Sequence, residues 1–187
     1  MNLESPVNSI KGIGAEREKY LRKLNIVTVG DIIEHYPRDY EDRTVVTPIS
    51  DLCPDENAVI LAYAKEEPNN SHFGGMTITK VRVYDESGSI GIVWYNQPYA
   101  RNNIKVGVLY AFIGKMTVTK NNRREINSPE VEKIDENGSY EGKIVPVYSL
   151  CAGLSQKVFR KTVIEALNKT EDSISDCLPF FIRKKYK

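Results

Sequence analysis

The hydrophobic and polar positions of the first 45 residues predict two short helices and a charged connector. Helix-forming residues follow a Gly-Ile-Gly turn in KGIGAEREKYLRKL, and the apolar ones fall on one side of a helix. Thr28 and Asp31 have the spacing of a capping box at the start of a second helix, which Pro37 ends. We therefore predict a helical hairpin and connector over residues 1–45.

Residues 46–137 change to the alternation that is typical of β-strands. NAVILAYA predicts one strand, MTITKVRVYDESGSIGIVWY predicts two strands around a tight turn, and VLYAFIGKMTVTKNNRREINSPEVEKI predicts two or three more. A short helix or loop follows the third strand, with Asn96 as its candidate N-cap. Five or so strands, this short element and the mid-strand Gly91 predict a small closed barrel of the oligonucleotide/oligosaccharide-binding (OB) type.

Residues 138–187 change character again. GKIVPVYSLCAGLS is extended, and Ser155 then caps a helix whose apolar face holds Phe159, Val163, Ala166 and Leu167. The apolar LPFFI near the end has no predicted packing partner within the chain. The predicted fold class is α+β, with a helical hairpin, a five-stranded OB barrel over residues 46–137, and a linker and helix over residues 138–187.

Composition is that of a globular protein with one or two domains. Of the 187 residues, 41% are hydrophobic and 27% are charged, and no apolar run approaches the roughly 20 residues that span a bilayer. The N-terminus lacks the pattern of a secretory signal. The three cysteines are far apart, which argues against a disulfide framework or a zinc site and favours a reducing cytoplasm.

No catalytic motif is recognisable. GSYEGKI lacks the glycine spacing and the Ser or Thr of a phosphate-binding loop, and GIGAER lacks the third glycine of a dinucleotide fingerprint. His35 and His72 have no partners at metal-ligand spacing. We assign no catalytic residue, no metal ligand and no cofactor to this chain.

Charge is distributed unevenly along the chain. Residues 1–86 carry 10 basic and 15 acidic side chains, whereas residues 87–124 carry six basic and no acidic ones. Such a local positive field attracts polyanions even though the net charge is only +1. The six cations, predicted to hold phosphates, are Arg101, Lys105, Lys115, Lys120, Arg123 and Arg124.

Three aromatic rings stand at the start of this basic block, in VWYNQPYARNN. Alternation along the preceding strand places Trp94 with the core residues Ile90 and Ile92, and Tyr95 on the opposite face. Tyr99 follows on the same turn. Exposed rings beside cations form a general nucleic-acid platform, so Tyr95 and Tyr99 are predicted to stack on bases. The alternative is that both pack with bonded hydroxyls.

The Gly-Ile-Gly turn has a second candidate role. A tight turn that opens a helix exposes backbone N–H groups and the positive end of the helix dipole, to which Lys11 adds charge. Lys11, Gly12 and Gly14 are therefore predicted to contact DNA phosphates without reading bases. The alternative is that the glycines only close a structural hairpin.

Three segments resemble one family in order and spacing. SIKGIGAEREKYLRKLNIVTVGDIIEHYPRDYEDR, VWYNQPY and PVYSLCAGLSQKVFRKTVIEAL are similar to the N-terminal part of RecG, the bacterial ATP-dependent branched-DNA helicase. This resemblance implies a wedge domain, an OB barrel that binds a fork junction and splits its strands. It also implies that the rings at Tyr95, where the family usually has Phe, and at Tyr99 stack on bases at the branch point.

The resemblance further implies that ATPase lobes, with their ATP and Mg²⁺, lie C-terminal to residue 187. We expect this chain alone neither to hydrolyse ATP nor to unwind DNA, and LPFFI to pack on or lead into those lobes. The expected partners are forks, Holliday junctions and the helicase domains, at the cytoplasmic nucleoid. Two alternatives stay open: an OB module that binds proteins, and one that binds single-stranded or structured RNA.

Overall fold

A computed structural model describes residues 1–134, 140–173 and 180–185. Two compact units account for the chain: Asp42–Val145 form one, while Met1–Glu41 and Pro146–Lys187 together form the other. We call them the barrel unit and the helical unit. The helices are α1 Ala15–Arg22, α2 Val29–Glu34, α3 Ala100–Asn103, α4 Gln156–Thr170 and α5 Phe180–Lys185.

Nine strands lie in the described residues. Their bounds are β1 Asp39–Asp42, β2 Asn57–Ala64, β3 Asn69–Phe73, β4 Met76–Tyr84, β5 Ser89–Tyr95, β6 Leu109–Val118, β7 Arg124–Asn127, β8 Glu130–Lys133 and β9 Ile144–Val147. β1 pairs with β9 in a separate two-stranded sheet. The other seven strands form one sheet.

Five strands of this sheet close on themselves in the order β2–β4–β5–β7–β6–β2. The β5–β7 pair is parallel and the other four pairs are antiparallel. α3 lies in the chain between β5 and β6. Outside the closed ring of strands, β3 pairs with β4 and β8 pairs with β6. The predicted α+β fold with a closed five-stranded OB-type barrel is confirmed.

The barrel core follows from the period of two along each strand. Ile90, Ile92 and Trp94 of β5 are buried in it, as alternation predicts. Gly91 lies between them on the outer face, and a Cβ there would stand 3.2 Å from Glu125 Cγ on the paired strand. A side chain at this position would therefore require the Glu125 side chain to shift.

The short helix after β5 begins later than predicted. Asn96 is not its N-cap, because its φ of 55° places it in the left-handed region and its side chain bonds back to β4. α3 begins at Ala100, with Tyr99 immediately before it. The intervening residues form a turn, and this turn determines the direction of the aromatic side chains.

The helical unit combines both ends of the described chain around one core. The capping box is confirmed: the Asp31 N–H donates to Thr28 Oγ1 (3.2 Å) and the Thr28 N–H donates to Asp31 Oδ2 (2.8 Å). Ser155 caps α4 as predicted, accepting from the Val158 N–H (3.3 Å). The buried core contains Val7, Ile10, Ile13, Leu21, Ile26, Val29, Ile32, Tyr148, Phe159 and Ala166.

This shared core groups the chain differently from the three consecutive domains expected from the sequence. α4, which was predicted as the helix after a linker, packs with α2. Leu167, which was predicted on the apolar face of α4, is 42% exposed. In LPFFI, Leu178 and Pro179 lie outside the described residues, and Phe181 of α5 is exposed.

None of the described helices is both long enough and apolar enough to cross a membrane.

Candidate nucleic-acid interface

The three rings of VWYNQPY divide between core and surface. Trp94 is 3% exposed, whereas Tyr95 is 43% exposed and Tyr99 is 60% exposed. Tyr95 is the last residue of β5, and Tyr99 directly precedes α3. The placement of Trp94 in the barrel core is confirmed. The two tyrosines present ring surface to solvent, which is what stacking on a base requires.

Hydrogen bonds to β4 fix the turn that carries these tyrosines. The Asn96 N–H donates to the Thr77 carbonyl (2.7 Å), and the Thr77 N–H donates to Asn96 Oδ1 (3.2 Å). The hydroxyl of the buried Thr79 bonds to the Gln97 carbonyl (3.2 Å) and to Asn70 Oδ1 of β3 (2.8 Å). The rings therefore stand on a turn whose backbone is held by the neighbouring strands.

Two cations of the carboxylate-free block lie close to this turn. Arg101 belongs to α3, and Lys105 follows α3 in the connection to β6; both are exposed. Together with Asn70 and Asn102 they line an open pocket of about 790 Å³, whose lining also includes Glu67. The pocket offers guanidinium, ammonium and amide donors, the groups that bind phosphate oxygens.

The remaining cations of the block lie elsewhere on the barrel. Lys120 and Arg123 are exposed in the tight β6–β7 turn. The parallel register of β5 and β7 pairs Gly91 with Glu125, which places Arg124 level with Ile90. Tyr95 is five residues farther along β5, a span of about 17 Å. The block is continuous in sequence, but the barrel separates its cations into two groups.

Arg124 and Lys115 are engaged within the barrel unit. Arg124 Nη2 donates to the carbonyls of Ile49 (2.7 Å) and Leu52 (3.1 Å), which fastens the segment before β2. Lys115 Nζ lies 3.7 Å from Asp55 Oδ1. The contacts of Arg124 stabilise the barrel unit. The binding of DNA phosphate by Arg124 or Lys115 stays a prediction.

Two cations that the sequence analysis missed lie on β4. Lys80 pairs with Val93 and Arg82 pairs with Gly91, so both stand on the outer face beside β5, and both are exposed. They line a shallow pocket of about 180 Å³ with Arg123, where Glu125 Oε1 lies 3.9 Å from Lys80 Nζ. The signal was available: residues 68–84 contain no acidic side chain, and alternation in TKVRVY places these cations on one face.

Asp85 directly follows residues 68–84, which contain no acidic side chain, and its carboxylate stabilises the fold. Its carboxylate accepts from the N–H groups of Ile49, Ser87 and Gly88, each at 2.8 Å. Partial burial by itself would raise its pKa, but these hydrogen bonds outweigh it and hold the pKa below the ordinary value of 3.8. The charged form therefore stabilises the β4–β5 turn above that value, and the stabilisation is lost as the pH falls through the lowered pKa.

The Gly-Ile-Gly turn lies in the helical unit, before α1. Gly12 has a φ of 96° and Gly14 is the N-cap of α1, while Lys11 is exposed. The Arg17 guanidinium donates to the Gly12 carbonyl, which adds a positive charge beside the turn. Glu16 and Glu18 stand in the first helical turn and oppose that charge. A phosphate contact by Lys11, Gly12 and Gly14 stays a prediction.

Comparisons with known proteins identify the family. The profile of the RecG wedge domain matches residues 6–170. The chain is 31% identical over its whole length to the ATP-dependent DNA helicase RecG of Thermotoga maritima, and 28% identical over 98% of its length to that of Bacillus subtilis. It covers 24% and 26% of those proteins, so it spans about a quarter of their length.

A solved structure of RecG bound to a three-way DNA junction superposes on the whole chain. The TM-score is 0.81 at 29% sequence identity, and the match covers 26% of that chain. The barrel topology, the aromatic turn after β5 and these similarities lead to one conclusion: the chain belongs to the RecG wedge domain family.

Proposed function

We propose that this chain is the DNA-junction-binding wedge module of a RecG-like helicase. One observation carries the proposal: two exposed tyrosines stand on a hydrogen-bonded turn of an OB-type barrel, with exposed cations beside them. Membership of the wedge domain family supports it, as does similarity to a RecG that was solved on a three-way junction.

Stacking of the two tyrosine rings on bases distinguishes a branch from a continuous duplex. Where two strands diverge, the last base pair on each arm loses one stacking neighbour. A tyrosine ring replaces that neighbour, and base–aromatic stacking contributes about 1–3 kcal/mol per base. Tyr95 and Tyr99 lie on one turn, so each ring covers one of the exposed pairs. A continuous duplex has no such uncovered pair and gains nothing from the rings.

Contacts between cationic side chains and phosphates hold the duplex arms of the junction. Arg101 and Lys105 contact the backbone near the branch point, and Lys80, Arg82 and Arg123 contact it along the β4–β5 face. Such contacts release counterions and carry no sequence information. The module therefore binds branched DNA of any sequence, with an affinity that falls steeply as the salt concentration rises.

In the whole protein, the wedge splits strands while motor domains pull duplex DNA. The proposal assigns ATP, Mg²⁺ and all catalytic residues to those motor domains, which make the parent protein an ATP-dependent DNA helicase. The substrates of that protein are stalled replication forks and recombination intermediates such as Holliday junctions. This chain contributes binding and strand separation to the reaction.

A binding titration tests the proposal. Labelled three-way junction, duplex of equal length, single strand and RNA hairpin are titrated with the 187-residue chain at about 50 mM and about 200 mM salt. We expect the junction to bind at least about tenfold more tightly than duplex, since one stacked base contributes about that factor. Equal affinity for junction and duplex would refute the wedge function.

Two other results would favour the alternatives. Tighter binding of the RNA hairpin than of the junction indicates an RNA ligand. Failure to bind any nucleic acid at the lower salt concentration indicates an OB module that binds protein.

A further inference from the structure

The β3–β4 hairpin ends in an exposed apolar tip. Gly74 and Gly75 form its two-residue turn, with φ angles of 56° and 79°, and Phe73 pairs with Met76 across it. Positive φ at both turn residues is the requirement of the tightest hairpin turn, and glycine meets it without steric cost. Phe73 is 81% exposed and Met76 is 41% exposed.

This tip is joined to the aromatic turn. Thr77, the first residue after Met76, exchanges two hydrogen bonds with Asn96, one at 2.7 Å and one at 3.2 Å. Tyr95 pairs with Ile78, so Met76 stands two residues, or about 7 Å, beyond Tyr95 along β4. The hairpin tip and Tyr95 therefore lie at the same edge of the barrel.

The hairpin is stiffened along its length. Thr77 Oγ1 lies 3.1 Å from His72 Nδ1 across the two strands, and Ser71 Oγ donates to the Ile78 carbonyl (3.3 Å). These contacts add two cross-strand bonds to the pairing of β3 with β4. An apolar tip on a rigid support loses little conformational entropy when it enters a ligand.

The hairpin that carries the tip contains no acidic side chain. Residues 68–84 contain no acidic side chain and include Lys80 and Arg82. Glu67 is the nearest carboxylate before β3, six residues from Phe73 and so about 20 Å away if the strand is extended. A DNA strand that passes along the β4–β5 face meets cations first and the apolar tip at its end.

We propose that the β3–β4 hairpin tip is a third base contact, in which Phe73 inserts beside the branch point and stacks on a base. Met76 supports the ring on the opposite strand of the hairpin. Apolar side chains inserted between bases separate them at a cost of a few kcal/mol, which new contacts offset. This inference rests on the proposed junction binding and adds one contact to it, which we call the pin. Tyr95 and Tyr99 stack on the terminal base pairs at the branch point, and the pin, Phe73, keeps an unpaired base apart from them.

The test compares Phe73→Ala with Phe73→Trp. Phe73→Ala is expected to weaken junction binding about tenfold and to leave duplex binding unchanged, while Phe73→Trp restores junction binding. The one native tryptophan, Trp94, is buried, so the new indole dominates the ligand-dependent fluorescence. Its emission is expected to be quenched by the junction and not by duplex. Tyr36→Ala is the matched control, because Tyr36 is 78% exposed and belongs to the helical unit.

The outcomes separate this inference from the function on which it rests. If the parent chain prefers the junction but Phe73→Ala binds it equally well, the pin is wrong and the wedge function stands. An equal loss of junction and duplex affinity in Phe73→Ala also overturns the pin, since the contact is then not selective for a branch. If the parent chain shows no preference for the junction, both are overturned. Thermal unfolding of each variant at the parental temperature ensures that a loss of binding is a loss of contact.

Discussion

At one end of β5 the exposed side chains are Tyr95 and Tyr99, and at the other end, in the β6–β7 turn, they are Lys120 and Arg123. The two ends lie in one barrel, about 17 Å apart along the strand. One presents rings on a turn that hydrogen bonds hold to β4, and the other presents long flexible cations.

The proposed DNA binding predicts that affinity and selectivity have separate origins on this surface. Cations respond to phosphate density, which is similar in a duplex and a junction, and salt weakens their contribution. Rings respond to uncovered base faces, which only a branch or an unpaired strand offers, and salt affects them little. The aromatic end should therefore determine which DNA is bound, and the basic end should determine how the binding depends on salt.

The largest effect is expected from removal of both rings. Tyr95→Ala combined with Tyr99→Ala should cost about 2–6 kcal/mol of junction affinity, because each of two bases loses a stacking contact of about 1–3 kcal/mol. Duplex affinity and the salt dependence should stay as in the parent chain. Fluorescence anisotropy with both DNAs measures this. The control is Tyr95→Phe combined with Tyr99→Phe, which keeps both ring faces. If the double Ala variant binds the junction with parental affinity, the aromatic end does not determine which DNA is bound.

A smaller effect, on stability, is expected at the basic end. Arg124→Ala removes the two hydrogen bonds to the carbonyls of Ile49 and Leu52 and leaves those groups without their cationic donor. We expect the free energy of unfolding to fall by about 2 kcal/mol, as measured by denaturant titration. Arg123→Ala, one residue away and exposed, should change it little. Unchanged stability with lost DNA affinity would instead place Arg124 among the phosphate contacts.

The smallest effect is expected from the exposed cations of the basic end. Lys120→Ala with Arg123→Ala should weaken junction and duplex by the same few-fold factor. The slope of log K against log salt should become shallower by about 2, since each lost phosphate contact removes about 0.9. Measuring both DNAs at four salt concentrations provides the test. A selective loss of junction binding would contradict the division between the two ends.

Several features of the fold and of this interface could be predicted because they depend on neighbours in sequence. Alternation in β5 separated Trp94 from Tyr95, since a strand turns successive side chains to opposite faces. The capping box of Thr28 and Asp31 spans three residues and was recognisable for the same reason. The turn was harder: Asn96 was predicted as an N-cap, but its bonds to Thr77 come from the neighbouring strand and hold it in a left-handed conformation.

Features that depend on strand pairing or on distant segments could not be predicted. Phe73 precedes the carboxylate-free block, and only the β3–β4 and β4–β5 pairings place its hairpin tip at the end of β5 that carries Tyr95. Arg124 was grouped with the phosphate contacts because nothing near it in sequence indicates that Ile49 and Leu52 accept its hydrogen bonds. Both cases involve partners that lie more than 10 residues away along the chain.

A β-barrel, an aromatic turn and a run of cations could all be predicted for this chain, because periodicity and composition are properties of short segments. Strand pairing, by contrast, was needed to show which of those cations share a surface and that the exposed Phe73 lies on a hairpin tip near Tyr95. Tertiary structure also joined α1 and α2 to α4 in one core, although more than 100 residues separate α2 from α4 in the chain. Burial stabilises any two apolar faces that are complementary, whatever their distance in sequence. The linear pattern of apolar residues does not show which faces pack together.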